Sequence, residues 1–150
     1  MQQIVSFLAG NITKSAKITG NGGDLALQLP NLTYAYSLEI NNASEISLPM
    51  LSSVSNGLQI SHSDVSELSM PELTYVGGDL VISNNRNLQD LDMGELVNVQ
   101  GNLKVAGNED VSEIKGLPYL SSVGGDLSLM GAFQRCTAPP NQRYTRSRIY

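Results

Sequence analysis

Apolar residues recur along this chain in a short figure that returns several times. Leu73-Thr74-Tyr75-Val76-Gly77-Gly78-Asp79-Leu80-Val81-Ile82-Ser83-Asn84-Asn85 comes back as Leu120-Ser121-Ser122-Val123-Gly124-Gly125-Asp126-Leu127-Ser128-Leu129-Met130-Gly131. A looser copy runs from Leu96 to Asn108, and two more surround Leu38-Glu39-Ile40 and Leu58-Gln59-Ile60. The leading leucines stand at 38, 58, 80, 103 and 127, so successive copies lie 20, 22, 23 and 24 residues apart. A period in this range predicts a solenoid, because one unit can bury its apolar face only against the next.

One unit reads as three short extended segments joined by turns. Leu80 and Ile82 share a face at period two, which predicts a short strand with that face buried. Leu73 with Val76, and Leu88 with Leu91, form inward pairs on either side of it. Pro71 lacks an amide donor and so marks a corner or a strand start. Gly77-Gly78-Asp79 reads as the next corner, where glycine supplies positive φ and aspartate bonds its own backbone. The inward set repeats at Leu51, Val54, Leu58, Ile60, Val65 and Leu68, and at Leu96, Val99, Leu103, Val105, Val111 and Ile114. Its upstream version is Leu32, Leu38, Ile40, Ala43 and Ile46. No helical spacing persists beyond one turn. The expectation is a mainly β chain, a parallel β-solenoid with rungs of 20–24 residues. Asn42 and Asn84 follow the leading leucine by four residues, Asn85 and Asn108 by five, so an asparagine ladder is expected with its register open.

Three segments follow. Residues 28–133 carry the repeats. Residues 1–27 form an N-terminal rung or cap; Ala16-Lys17-Ile18 aligns with Leu80-Val81-Ile82, and this phase is preferred over one beginning at Gly22-Gly23-Asp24. Residues 134–150 continue no inward set, hold Pro139-Pro140, and are expected to form a disordered tail that leaves Leu127–Leu129 as a sticky edge.

Charge sharpens this division. Residues 1–133 hold all 14 acidic groups against Lys14, Lys17, Arg86, Lys104 and Lys115, whereas the tail adds Arg135, Arg143, Arg146 and Arg148. The net charge of −5 argues against nucleic acid as a partner. Only 15% of residues are charged, and Asn, Ser, Thr and Gly fill the remaining surface. The lone Cys136 is free or paired with a segment outside this chain, a C-terminal cysteine being the better guess. No apolar run approaches a membrane span, and the first ten residues lack the basic start of a signal peptide.

Candidate chemistry is sparse. His62, the single histidine, falls at a turn position equivalent to Asn84 and reads as a solvated turn residue rather than a base. Asp90 and Asp92 flank Leu91 and point outward, where a raised pKa suited to glycoside hydrolysis is rarely achieved. Asp79 and Asp126 recur at one corner as a turn requirement. Neither catalytic residues nor a metal or cofactor site are expected. Asn11, Asn31 and Asn42 open Asn-x-Ser/Thr sequons and are glycosylation candidates if the chain is secreted. Tyr34, Tyr36, Tyr75 and Tyr119 either cover rung edges or stack on sugar rings, with Tyr36 and Tyr75 the first pair to test as surface-binding residues.

The rung Met70-Pro71 to Asp92, echoed from Gly116-Leu117-Pro118 to Phe133, resembles the receptor L-domain type of leucine-rich repeat. Within that group it is most similar to the fungal cell-wall organisation and sporulation-specific family of GPI-anchored glycoproteins. The resemblance implies a right-handed solenoid that is extracellular, N-glycosylated and held to membrane or wall by a GPI anchor. The chain departs from that family in lacking a signal peptide, a Ser/Thr-rich region and an anchor tail. It therefore reads as a fragment or truncated gene model, and localisation at the surface or wall is expected of the parent protein. The expected role is a non-enzymatic wall or surface module that organises or binds polysaccharide or protein. The alternatives are a ligand-binding L-domain receptor ectodomain and, less favoured, a β-helix polysaccharide-active enzyme.

Overall fold

The computed structural model describes residues 3–6, 10–21, 24–112, 114–115, 119–131 and 144–149, the first and last of these as backbone only. The described residues form parallel strands stacked as a β-solenoid of about five turns, without α-helix. Each full rung has three faces.

Face one holds the two-residue strands β6 (Ser53–Val54), β9 (Tyr75–Val76) and β12 (Asn98–Val99). Face two holds β7 (Leu58–Ser61), β10 (Leu80–Ser83) and β13 (Leu103–Ala106). Three longer strands, β2 (Asn11–Thr19), β4 (Tyr34–Asn41) and β15 (Ser122–Leu129), run through the corner and serve both faces. Face three is made of two separate sheets: β1 (Gln3–Ser6), β3 (Leu25–Gln28) and β5 (Ala43–Ser47), then β8 (Glu67–Ser69), β11 (Asp90–Asp92) and β14 (Ile114–Lys115).

The leading leucines stack as the repeat requires. Leu38 pairs with Leu58, Leu58 with Leu80, Leu80 with Leu103 and Leu103 with Leu127. Every residue of the three predicted inward sets is buried. The preferred N-terminal phase also holds, since Ala16, Lys17 and Ile18 pair with Leu38, Glu39 and Ile40. An additional buried column, Leu29, Leu48, Met70 and Met93, lines the corner beside the prolines.

Two local readings are corrected. Gly77 and Gly78 have no positive φ; that conformation occurs at Gly94 (φ 61°) and Gly107 (φ 67°). The glycine pair is required by close stacking instead. A Cβ on Gly77 would meet the Ser55 carbonyl oxygen at 2.1 Å, and one on Gly124 would meet that of Gln100 at 2.1 Å. Asp79, likewise, does not bond its own turn. Its Oδ1 accepts from the backbone N–H (2.7 Å) and Nδ2 (3.0 Å) of Asn102 in the next rung.

The asparagine ladder runs at the fifth position. Asn108 Oδ1 accepts from the Asn85 N–H (3.0 Å), Asn85 Oδ1 from the Ser63 N–H (2.9 Å), and Ser63 Oγ from the Ala43 N–H (3.2 Å). The amide groups of Asn85 and Asn108 donate to the Ile60 and Ile82 carbonyls. Both side chains are buried, and their polar atoms satisfy turn backbone that would otherwise be orphaned. The fourth position is the left-handed one: Asn42, His62 and Asn84 have φ of 54°, 55° and 58°.

From the rung of Leu58 onward, rung length varies on one side only. The corner residues Pro49, Pro71 and Gly94 stand nine residues before the leading leucine of their rungs; in the sequence Pro118 precedes Leu127 by the same nine, and Pro30 precedes Leu38 by eight. From each leading leucine forward to the next corner the count is 11, 13, 14 and 15. Growth is thus confined to face three and the turn leading into it. One residue separates β4 from β5, while five residues separate β7 from β8. That difference accompanies the split in face three, where β5 and β8 are not hydrogen-bonded to each other.

Within 134–150, expected to be disordered, Tyr144–Ile149 forms strand β16, laid parallel on β15 with Leu127 opposite Ser147 and Leu129 opposite Ile149. The strand expected to be an open edge is therefore paired on both sides. Backbone pairing needs only an extended segment, so a basic, apolar-poor sequence can supply it. Residues 132–143 and Tyr150 lie outside the described residues.

Candidate binding surface

The three faces differ outside far more than inside. On face one, Tyr34, Ser53, Tyr75, Asn98 and Ser122 occupy one outward column, with Asn11 opposite Tyr34 at its start. Tyr36 lies two residues along β4 on the same outward side and is 44% exposed. Beside this column runs a hydroxyl ladder. Ser52 Oγ donates to the Thr33 carbonyl (2.9 Å), Thr74 Oγ1 to that of Ser52 (3.2 Å), and Ser121 Oγ to that of Val97 (2.9 Å). Val97 takes the place of the hydroxyl in its rung and is exposed. The face-one stretches 31–36, 51–57, 73–78, 96–101 and 120–125 contain no Asp, Glu, Lys, Arg or His.

Face three is acidic. Glu67 pairs in register with Asp90, and Glu45 projects from β5 at the other side of the split. Lys115 meets Asp90 at 2.6 Å, and Asp92 Oδ1 accepts from the Gly94 N–H at 2.9 Å. A groove of about 360 Å³ follows the split, lined by Ser44, Glu45, Ser47, Pro49, Ser66, Glu67, Ser69 and Pro71 together with Ile46 and Val65. Face two is mixed. Lys17 donates to Glu39 at 2.6 Å, and Asn41 Nδ2 donates to the same carboxylate at 2.8 Å. These two bonds, the lysine's foremost, hold the Glu39 carboxyl below its ordinary range.

The other predicted residues fall as follows. His62 is exposed, with Nε2 3.5 Å from Asn84 Nδ2 and with Asp64, Asn84 and Arg86 around it. The neighbouring Ser63 hydroxyl donates to the Ser61 carbonyl (3.3 Å), away from the imidazole. Asp90 and Asp92 face outward as expected, held by Lys115 and the Gly94 amide. Among the described residues no group of three or more His, Cys, Asp or Glu could hold a metal ion. Cys136 lies outside the described residues. Asn11 is exposed with its Oδ1 accepting from Thr33 Oγ1 (2.9 Å), Asn31 is exposed in a turn, and Asn42 is half-buried. Tyr36 and Tyr75 share face one with Tyr34, whereas Tyr119, 60% exposed, belongs to a corner column with Met50, Glu72 and Glu95. Sequence reasoning missed the charge division between faces, although the uncharged stretches 31–36, 51–57, 73–78, 96–101 and 120–125 were visible in it.

An elongated surface of this kind belongs to a parallel β-solenoid rather than to a protein built around a cleft. The chain is 33% identical over 129 residues to sporulation-specific protein 2 of Saccharomyces cerevisiae, covering 86% of this chain and 26% of that protein. It is 32% identical over 135 residues to a cell surface GPI-anchored protein of Arthroderma benhamiae, covering 86% and 35% respectively. Sporulation-specific protein 22 of Saccharomyces cerevisiae is 32% identical over 117 residues, or 78% of this chain and 25% of that protein. The chain thus spans about a quarter to a third of the length of these relatives. No family model matches it, and no solved structure matches it.

Proposed function

We propose that this chain is the repeat region of a non-enzymatic fungal cell-surface glycoprotein that takes part in organising the cell wall. One relative is named as a GPI-anchored surface protein and two as sporulation-specific, and none of these names is an enzyme's. The carrying observation is that similarity, spread over 86% of a chain whose face one is hydroxyl, amide and tyrosine. In this reading the rungs are of the L-domain leucine-rich type, the parent protein is secreted and GPI-anchored, and Asn11, Asn31 and Asn42 are the glycan acceptors. Exposure favours Asn11 and Asn31 over Asn42.

Secretion of the chain behind a yeast leader, followed by endoglycosidase H, tests this. The expected result is a mobility shift on deglycosylation that is reduced in Asn11→Gln and Asn31→Gln. Retention of the full-length parent inside the cell, with no glycan, would contradict the reading.

A further inference from the structure

We infer that face one is a binding surface for a neutral polysaccharide strand. This deepens the surface-module reading and rests on it. Three independent features of the molecule converge on it.

The first is charge. The five successive rungs from Thr33 to Gly125 present face one without an ionisable side chain, although residues 1–133 hold 14 acids and five bases; exposed Lys14, on β2, stands beyond them at the N-terminal edge. Asp79 and Asp126 border it at the corner, and Asp79 is engaged by Asn102. A charged polymer finds no counter-charge there, and a basic partner is drawn instead to Glu45, Glu67 and Asp90 on face three. A non-ionic chain is the ligand that such a face does not repel or leave uncompensated.

The second is the side-chain inventory. Tyr34, Tyr36 and Tyr75 offer aromatic surface tipped with hydroxyls, suited to an apolar ring face edged by polar groups. Thr33, Ser52, Thr74 and Ser121 commit their hydroxyl protons within the molecule or keep them at a carbonyl, leaving lone pairs that can accept from sugar hydroxyls. Asn98 and Gln100 add amide donors and acceptors.

The third is regularity. The corner-to-leucine spacing on this face is nine residues in four rungs, while face three gains residues from rung to rung. Equivalent positions therefore recur at the inter-strand spacing of about 4.8 Å. A surface with a constant repeat suits a ligand with a constant repeat, and several weak contacts then add as avidity.

The test is co-sedimentation of the purified chain with insoluble β-1,3-glucan particles and, separately, with chitin beads, at 0.15 M and about 1 M NaCl; the salt brackets strong screening. The two polymers distinguish the sources of a neutral glycan. Binding to at least one is expected, with little change in high salt. Tyr36→Ala combined with Tyr75→Ala is expected to weaken it about tenfold or more, equivalent to losing two modest aromatic contacts. Glu45→Gln with Glu67→Gln is expected to leave it unchanged. Tyr36→Ser alone, at an outward position, gives the same direction if the double variant melts early. Binding to neither polymer, binding abolished by salt, or binding sensitive only to the face-three pair would overturn the inference; the last would place the glycan on face three. Surface location and glycosylation are read separately, so these outcomes leave the surface-module reading standing.

Discussion

Face one and face three are built over one continuous core, yet they treat length and charge in opposite ways. Face one keeps nine residues from corner to leading leucine in four rungs and carries tyrosine, hydroxyl and amide groups. The stretch from leading leucine to the next corner, which runs through face three, lengthens through 11, 13, 14 and 15 residues; face three carries Glu45, Glu67, Asp90 and Asp92 and is divided between β5 and β8. The lesson is that the inner columns set the register, and the outer residues are free to differ once that register is secure. A strand one rung away supplies the same backbone partners whatever points outward.

The largest effect should come from attacking what the two faces share. Leu80 is fully buried, and Leu80→Asp places an unpaired carboxylate between Leu58 and Leu103, at a cost of several kcal/mol. Val81→Asp faces outward between Gln59 and Lys104 and is expected to change stability by about 0.5 kcal/mol or less. Thermal unfolding of both variants checks this, and equal losses would refute the strand phase.

A more selective change separates the faces. Asn85→Ala removes the acceptor of the Ser63 amide and the donor to the Ile60 carbonyl in the turn between faces two and three. A loss of about 2–4 kcal/mol is expected from two unsatisfied buried groups. Hydrogen exchange should rise first at Ser63 to Ser69 rather than at face one. One residue earlier the sign reverses: Asn84→Gly relieves a left-handed φ of 58° and is expected to be neutral or slightly stabilising. Urea midpoints of the two variants sharpen the contrast.

The smallest effect belongs to the exposed pair on face two. Glu39 has a carboxyl pKa below its ordinary value because Lys17 and Asn41 donate to it. A depressed carboxylate contributes stability above its ordinary range and loses that contribution as pH falls through the folded value. The melting-temperature gap between the unchanged chain and Glu39→Gln should be small at neutral pH and vanish in acid.

How far the sequence could be read follows the same division. Leu51, Val54, Leu58 and Ile60 were legible because burial demands apolar residues at a fixed spacing. The ladder register was not, because Asn84 and Asn85 stand side by side and composition alone does not tell them apart. The interchange of Asn, His and Gly at 42, 62, 84 and 107 marks the left-handed position. That of Ser and Asn at 63, 85 and 108 marks the ladder. Gly77-Gly78 suggested positive φ, whereas the need is for space against Ser55 and Asn56, which depends on the rung beneath. β16 was missed because backbone pairing leaves no apolar signature. The tyrosines were singled out as candidates from the sequence, but their sharing of one uncharged face became visible only once strands were paired.

The register is the central claim, and cross-linking tests it most directly. In a Cys136→Ser background, Val81→Cys with Lys104→Cys places two thiols on register partners. Neighbouring strands hold such Cα atoms about 4.8 Å apart, inside the range a disulfide spans. Val81→Cys with Ala106→Cys keeps the outward face but shifts two residues, to about 8 Å, beyond that range. Mild oxidation and peptide mapping should give an intramolecular disulfide in the first variant and none in the second. Cross-linking of the second in preference to the first would contradict the stacking on which both faces depend.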